Sequence, residues 1–354
     1  MNNLFDYATS ELSQDAVICW CLNWLNEPEA ELYPLAVDLL QKMGEGTVES
    51  GQTLRTIQQF YKTDILVCLA GKNRVILVED KTDTSEHGEQ IRRYREQLTR
   101  LSEEERRFCG IDENVEVRTV YFKTGFFYDA DRRVEADIKI TGKEFLQCLE
   151  PYRGKSEILD AYFGFMERKL EQQARAADFL QEPERLNHSA IAQHTLMRLI
   201  FPETLWKQGS VLYEVYHGSS FGRPWTEMVI AEYAFPESND GYRIFWRIDR
   251  DQEGTYLSLR FYDPYDKKNA MEKQTHLDAY RKHRAQIEKI CTASFAAGSV
   301  WAWENVRCGS TENYYEASLL TLHLEPILQH WDTEQTAFVQ GARTITNQFQ
   351  KENQ

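Results

Sequence analysis

No paired-cysteine zinc motif occurs in this chain. Its seven cysteines, at 19, 21, 68, 109, 148, 291 and 308, form no CxxC pair and have no histidine at zinc-finger spacing, so they read as reduced, structural thiols. Long apolar runs are missing too. The longest, Ala16 to Leu25, is interrupted by Asn23 and is about half the roughly 20 residues that a bilayer-spanning helix requires, so no membrane partner is expected. The opening MNNLFDYATSELSQ lacks a basic stretch followed by an apolar core and a small-residue cleavage site, which leads us to expect no signal peptide and a cytoplasmic location. No P-loop, GxSxG, HExxH or GxGxxG pattern stands out in the second half. An excess of positive charge is also absent: 41 Lys and Arg stand against 56 Asp and Glu, a net charge of −15. That argues against a broad basic surface gripping many phosphates, but it is compatible with a carboxylate cluster that is electronegative until a cation binds.

What is present suits a globular protein. Of the residues, 42% are hydrophobic and 12% aromatic, enough to bury a core, and 354 residues exceed what one core usually supports, favouring two domains. Apolar residues at Leu4, Ala8, Leu12, Ala16, Cys19, Trp20 and Trp24 recur at helical spacing, with Glu11 and Asp15 on the polar side. A glycine-bearing loop follows (Gly44, Gly46, Gly51). Asp64 to Ala70 and Arg74 to Lys81 then read as two strands of a hairpin turning at Gly71-Lys72-Asn73. Ser85 is a plausible cap for a helix through Gln90, Tyr94, Leu98 and Leu101. Val115 to Phe122 and Ile138 to Ile140 read as strands, and Thr141-Gly142-Lys143-Glu144 has capping-box spacing for a helix through Leu149. The alternation predicts an α/β layer with a mixed sheet over residues 1–155.

Ser156 to Leu180 has helical periodicity, so a connecting helix is expected over 156–182. A C-terminal α+β domain is expected over 183–354. Val211 to Tyr216, Glu227 to Tyr233, Tyr242 to Ile248 and Thr255 to Tyr262 predict an antiparallel sheet flanked by helices at Lys267 to Ile290, Tyr315 to His330 and Thr333 to Phe349.

The hairpin carries the chemistry. A turn near Lys72 pairs positions summing to about 144, which sets Asp64 across from Glu79 to Lys81, within a residue. Side chains alternate along a strand, so Glu79 and Lys81 point to one side, roughly 7 Å apart, and Asp80 to the other. Charges at the mouth of an apolar hairpin need a partner. A hard divalent cation held by carboxylate oxygens is one, and a plain surface salt bridge is the alternative.

The full set of polar residues resembles the PD-(D/E)XK nuclease superfamily. Thr63-Asp64-Ile65-Leu66-Val67 corresponds to the PD element, with Thr63 where the family has proline, and Val78-Glu79-Asp80-Lys81-Thr82 to the ExK element. Ser10-Glu11-Leu12-Ser13-Gln14-Asp15-Ala16 looks like the acidic first-helix element of a bacterial branch, and Gln90-Ile91-Arg92-Arg93-Tyr94 matches the QxxxY element of exonuclease-like members. The resemblance covers about residues 1 to 150. It implies a restriction-endonuclease-like core and cleavage of nucleic acid, DNA rather than RNA, in defence or repair. It also implies Mg²⁺, replaceable by Mn²⁺, on Asp64 and Glu79, with Glu11 helping directly or through water and the Asp80 carbonyl also ligating. Lys81 would position or activate the attacking water. Gln90 would orient the lysine, the water or a phosphate, with Tyr94 packed beside it one helical turn on.

Other residues stay open. His87 reads as a solvated loop histidine rather than a ligand. Asp15 faces either the metal or solvent. Arg92, Arg93 and Arg95 read either as phosphate contacts or as a solvated helix face. In the second half, Arg243, Phe245 and Arg247 share a strand face beside Tyr256, Arg260 and Tyr262, which suits either base stacking or a half-buried sheet with snorkelling arginines. That domain is expected to serve specificity, sensing or dimerisation, so a homodimer is among the arrangements it allows. A catalytically inactive nuclease fold acting as a binding module is the competing function. A metal-independent glycosidase leaves Lys81 and Gln90 unexplained.

Overall fold

The structure, a computed structural model, describes residues 3–8, 10–85, 89–202, 207–208, 211–212, 214–220, 222–234, 241–250, 254–263, 269–306 and 316–352. Two compact units, Met1–Ala174 and Arg175–Gln354, each contain one five-stranded sheet, mixed in the first and antiparallel in the second.

In the first unit, helices α1 (Glu11–Asn23) and α2 (Tyr33–Lys42) precede strands β1 (Leu54–Phe60), β2 (Thr63–Leu69) and β3 (Arg74–Lys81). Helices α3 (Gln90–Leu98) and α4 (Glu103–Cys109) lead to β4 (Glu116–Lys123), and α5 (Asp129–Arg133) leads to β5 (Ile138–Thr141). Helices α6 (Gly142–Leu149) and α7 (Glu157–Ala177) follow. The strand order is β1-β2-β3-β4-β5. The first three strands pair antiparallel, whereas β4 and β5 run parallel to β3 and to each other.

Alternation along β2 and β3 divides two cores. Ile65, Val67, Ile76 and Val78 pack with α1, α2, α6 and α7. Leu66, Cys68, Val75 and Leu77 pack with Tyr94, Leu98, Leu101 and Cys109 on the other face. Both faces of the central strands are therefore covered, which explains their unbroken apolar sequence. At Thr141 the capping box forms in both directions, as its spacing predicts. Where a connecting helix is expected over 156–182, α7 ends at Ala177, and its Leu159, Tyr162, Phe163 and Met166 lie in the core of the first unit.

Several elements differ from the sequence expectation. The first α-helix begins at Glu11, because Leu4–Asp6 forms a separate short 3₁₀ turn. The loop holding Gly44, Gly46 and Gly51 is present, but α2 precedes it and β1 follows it, neither of which is among the elements expected from the sequence. Helix α3 starts at Gln90 behind Glu89, whose φ is 57°, so Ser85 is not its cap. His87 lies outside the described residues.

The second unit contains α8 (Ala190–Ile200), a short ribbon of β6 (Lys207–Gln208) and β7 (Val211–Leu212), and strands β8 (Val215–Ser220), β9 (Arg223–Ala234), β10 (Gly241–Arg250) and β11 (Thr255–Tyr262). Helix α9 (Ala270–Ser294), β12 (Glu316–His323), α10 (Glu325–Gln329) and α11 (Trp331–Glu352) complete it. Its sheet runs β12-β11-β10-β9-β8. Most of the segment expected as a helix over Tyr315 to His330 is β12 and only its end is helical; Ala317, Leu320 and Leu322 are buried against the sheet's apolar face, where Ile244, Trp246, Ile248, Leu257, Leu259 and Phe261 gather. Among the described residues, no helix is long and apolar enough to cross a membrane.

Candidate functional site

The ammonium of Lys81 sits where three oxygens from β2 and β3 converge. Its Nζ lies 2.6 Å from Glu79 Oε1 and 3.5 Å from Asp64 Oδ2, and it donates to the Asp80 carbonyl at 3.0 Å. The β2–β3 register runs to Ile65↔Val78, one step short of setting Asp64 level with Glu79. Asp64 Oδ2 also accepts the Asp80 N–H at 2.8 Å, so the carboxylate is held from both strands. Lys81 and Glu79 are buried. Burial works to lower the lysine's pKa, but Glu79, Asp64 and Glu11 outweigh it, and the pKa is raised. Burial raises the Asp64 pKa, only partly offset by Lys81 and the Asp80 N–H. One ammonium does not balance this many carboxylates.

Asp80 points its side chain to the opposite face, toward α1. Gln14 Nε2 donates to Asp80 Oδ1, and Gln14 Oε1 accepts from Thr124 Oγ1 at 2.5 Å. Asp15 is buried beside Asp80, not solvated. Burial, then Asp64 and Glu11, push the Asp15 pKa up to about 7, and burial with the Asp15 charge raises that of Asp80. No N–H or O–H of another described residue reaches Asp15 Oδ1 or Asp80 Oδ2. A shared proton or a cation satisfies such a pair.

Glu11 opens α1, where a carboxylate suits the helix dipole. Its Oε1 accepts from Thr82 N at 3.1 Å and Thr84 Oγ1 at 3.2 Å. It therefore braces the segment after Lys81 and acts on Asp64 and Lys81 through its charge.

Sequence reasoning missed a second buried lysine. Lys123 stands beside Lys81 in the parallel β3–β4 register, as Tyr121 stands beside Glu79. Lys123 Nζ donates to the Thr84 carbonyl at 2.5 Å and lies 3.9 Å from Asp131 Oδ1, and Tyr121 Oη donates to Asp131 at 2.5 Å. Burial lowers the Lys123 pKa, with Asp131 and Asp83 opposing. The signal was available in the alternation Tyr121, Lys123, but only the strand pairing sets those residues beside Glu79 and Lys81.

On α3, Gln90 and Tyr94 approach each other at 3.4 Å and line a cavity of about 470 Å³ with Tyr61, Lys62, Arg93 and Gln97. Arg92 is exposed and paired with Glu89, and Arg95 is 3.6 Å from Asp137.

In the second unit, the arginines proposed for stacking are neutralised. Arg243 pairs with Glu227 at 3.1 Å. Arg247 pairs with Asp249 at 3.1 Å and Glu316 at 3.0 Å, and Arg260 pairs with Asp249 and with Glu316, the latter at 3.0 Å. Three guanidinium groups meet three carboxylates, so the charges on this face are paired, although the buried Nε atoms of Arg243, Arg247 and Arg260 make no hydrogen bond among the described residues.

Comparison with protein-family models, with curated proteins and with solved structures finds no match. Among the described residues, no group of three His, Cys, Asp or Glu side chains is arranged to hold a metal ion. The oxygens grouped around Lys81 Nζ nonetheless have the chemistry of a hard-cation donor set: two carboxylates and one backbone carbonyl. The carboxyls of Asp15 and Asp80 lie on the opposite face of β3, where burial favours their protonated forms, so they are not part of this donor set.

Proposed function

We propose that the first unit is a metal-dependent phosphodiesterase with a restriction-endonuclease-like core of the PD-(D/E)XK type. Its substrate is nucleic acid, DNA in preference to RNA. The observation that carries this reading is the convergence of Glu79 Oε1, the Asp80 carbonyl and Asp64 Oδ2 on the Lys81 ammonium at 2.6, 3.0 and 3.5 Å.

Asp64, Glu79 and the Asp80 carbonyl would hold Mg²⁺, or Mn²⁺ in its place, with Glu11 contributing through water. Such a cation would polarise a phosphoryl oxygen and make a water more acidic. The chain's own residues do the rest. Lys81, with its raised pKa, keeps its proton at neutral pH and stabilises negative charge developing on the phosphoryl oxygens. Asp64 is fixed by the Asp80 N–H, so the donor set is pre-organised. Gln90 and Tyr94 position the strand at the adjoining cavity.

The test is incubation of the purified protein with DNA and RNA, in Mg²⁺ or Mn²⁺ and in EDTA, beside Lys81→Ala. Cleavage lost in EDTA and in the variant is the expected result; cleavage indifferent to both rejects the mechanism. A second reading, a nucleic-acid-binding fold without catalysis, is favoured by the close seat of Lys81 among these oxygens. It predicts binding with no turnover on any substrate.

A further inference from the structure

The turn joining β1 to β2 is unusual. Phe60 pairs with Thr63, leaving Tyr61 and Lys62 as a two-residue loop, and both have left-handed backbone, with φ of 50° and 69°. A hairpin loop with positive φ at both central residues favours Asn-Gly, because a side chain crowds its own backbone there. Here the sites carry a tyrosine and a lysine. Just before them Gln59 also has a positive φ, 56°, and the pairing steps from Gln58↔Ile65 to Phe60↔Thr63, so the distortion lies opposite Asp64. Strain of this kind persists where the displayed side chains serve a function.

These side chains help line the 470 Å³ cavity shared with Gln90, Arg93, Tyr94 and Gln97. In a chain of net charge −15, this lining contains no carboxylate and two cations. Lys62 and Arg93 form no ion pair among the described residues, whereas Arg92 and Arg95 beside them do. The ring of Tyr61 is pinned, with its hydroxyl on Glu105 and its face edge-on to Phe60 at 5.0 Å, yet it remains 46% exposed. Two available cations and a half-exposed aromatic ring are the elements that grip a single strand through phosphates and one base.

We propose that the β1–β2 turn and α3 form a strand-binding groove beside the Asp64 cradle, in which Lys62 and Arg93 hold backbone phosphates and Tyr61 stacks a base. This rests on the nuclease reading for its substrate but not for its residues. Lys62 ends the turn that leads directly into β2, the strand that carries Asp64.

The experiment uses the full chain in EDTA, with a fluorescent single-stranded DNA of about 15 nucleotides and anisotropy measured over a range of salt concentrations. Lys62→Gln and Arg93→Gln should each weaken binding several-fold and lower the salt slope by about 0.7. The paired change Tyr61→Asn with Lys62→Gly should raise the melting temperature while weakening binding, since it relieves the turn and removes its function. Unchanged affinity and slope in both single variants, or a lower melting temperature in the pair, overturns the groove. DNA held in a Lys62-dependent way but never cut with Mg²⁺ supports the groove and rejects the nuclease reading; DNA cut with an unchanged KM by both single variants overturns the groove and leaves the nuclease reading standing.

Discussion

Asp64 Oδ2 accepts the backbone N–H of Asp80 at 2.8 Å while standing 3.5 Å from Lys81 Nζ. One carboxylate thus fixes the end of β2 against the segment of β3 that supplies the other charged groups, and the arrangement does not depend on flexible side chains finding one another. Glu79, across the same ammonium at 2.6 Å, is buried, so its charge is tolerated only with a cation beside it.

Glu79→Gln removes that charge and keeps the shape. Turnover is expected to fall by about 10²-fold or more, with the far-ultraviolet circular dichroism unchanged. Retention of full activity in the folded variant would remove Glu79 from the site.

Asp15→Asn tests the paired acids beneath the sheet. Both carboxyls have pKa values raised by burial, that of Asp15 to about 7, so the folded state binds protons that the unfolded state releases above about pH 4. The Asp15 contribution is therefore favourable at low pH and is lost as pH rises through about 7, and the Asp80 contribution runs in the same direction. In EDTA the variant should be more stable than the parent at pH 8, by about 1 kcal/mol, with the difference fading toward pH 4. Denaturant melts at the two pH values check this, and a difference that grows on acidification contradicts it.

Much of the first unit was legible because its signals are local. The β2 and β3 runs, the alternation that separates Asp80 from Glu79 and Lys81, and the Thr141 capping box all follow from residue spacing. Strand β1 was not legible, since Leu54-Arg55-Thr56-Ile57-Gln58-Gln59-Phe60 is an edge strand with mixed exposure and no continuous apolar run. Asp15 was ambiguous for another reason: on α1 it looks polar and outward, and only the packing of α1 on β3 buries it beside Asp80. Lys123 and Lys62 owe their importance to strand pairing and to a strained turn, neither of which spacing reveals. In the second unit the sequence sets Arg243 and Arg247 on one face of a strand and Arg260 on a neighbouring strand, but their carboxylate partners come from β9, β10 and β12, which a strand-by-strand reading does not bring together.

Gly125→Ala tests the close approach behind Lys81. A Cβ there would lie 1.7 Å from the Thr82 carbonyl oxygen, backbone that cannot swing aside, so the strand ends must part. A loss of about 1–3 kcal/mol, together with weakened activity, is expected from chemical denaturation and rate measurements. A variant as stable as the parent would show that this contact is loose.

Arg260→Ala tests the ionic face of the second unit. It leaves Asp249 and Glu316 short of a partner at a half-buried site, which should cost about 1–3 kcal/mol. Because the arginine is already neutralised, nucleic-acid affinity should not change; a several-fold loss of affinity would revive the stacking role for this face.

The most direct test of the central claim is a crystal structure with Mn²⁺, using anomalous scattering to locate the ion. The account predicts a peak at roughly 2.0–2.6 Å from oxygens of Asp64 and Glu79 and from the Asp80 carbonyl, with the Lys81 ammonium displaced from the position it now shares with them. Lys81 still seated among those three oxygens at saturating Mn²⁺, with no peak beside it, would contradict it.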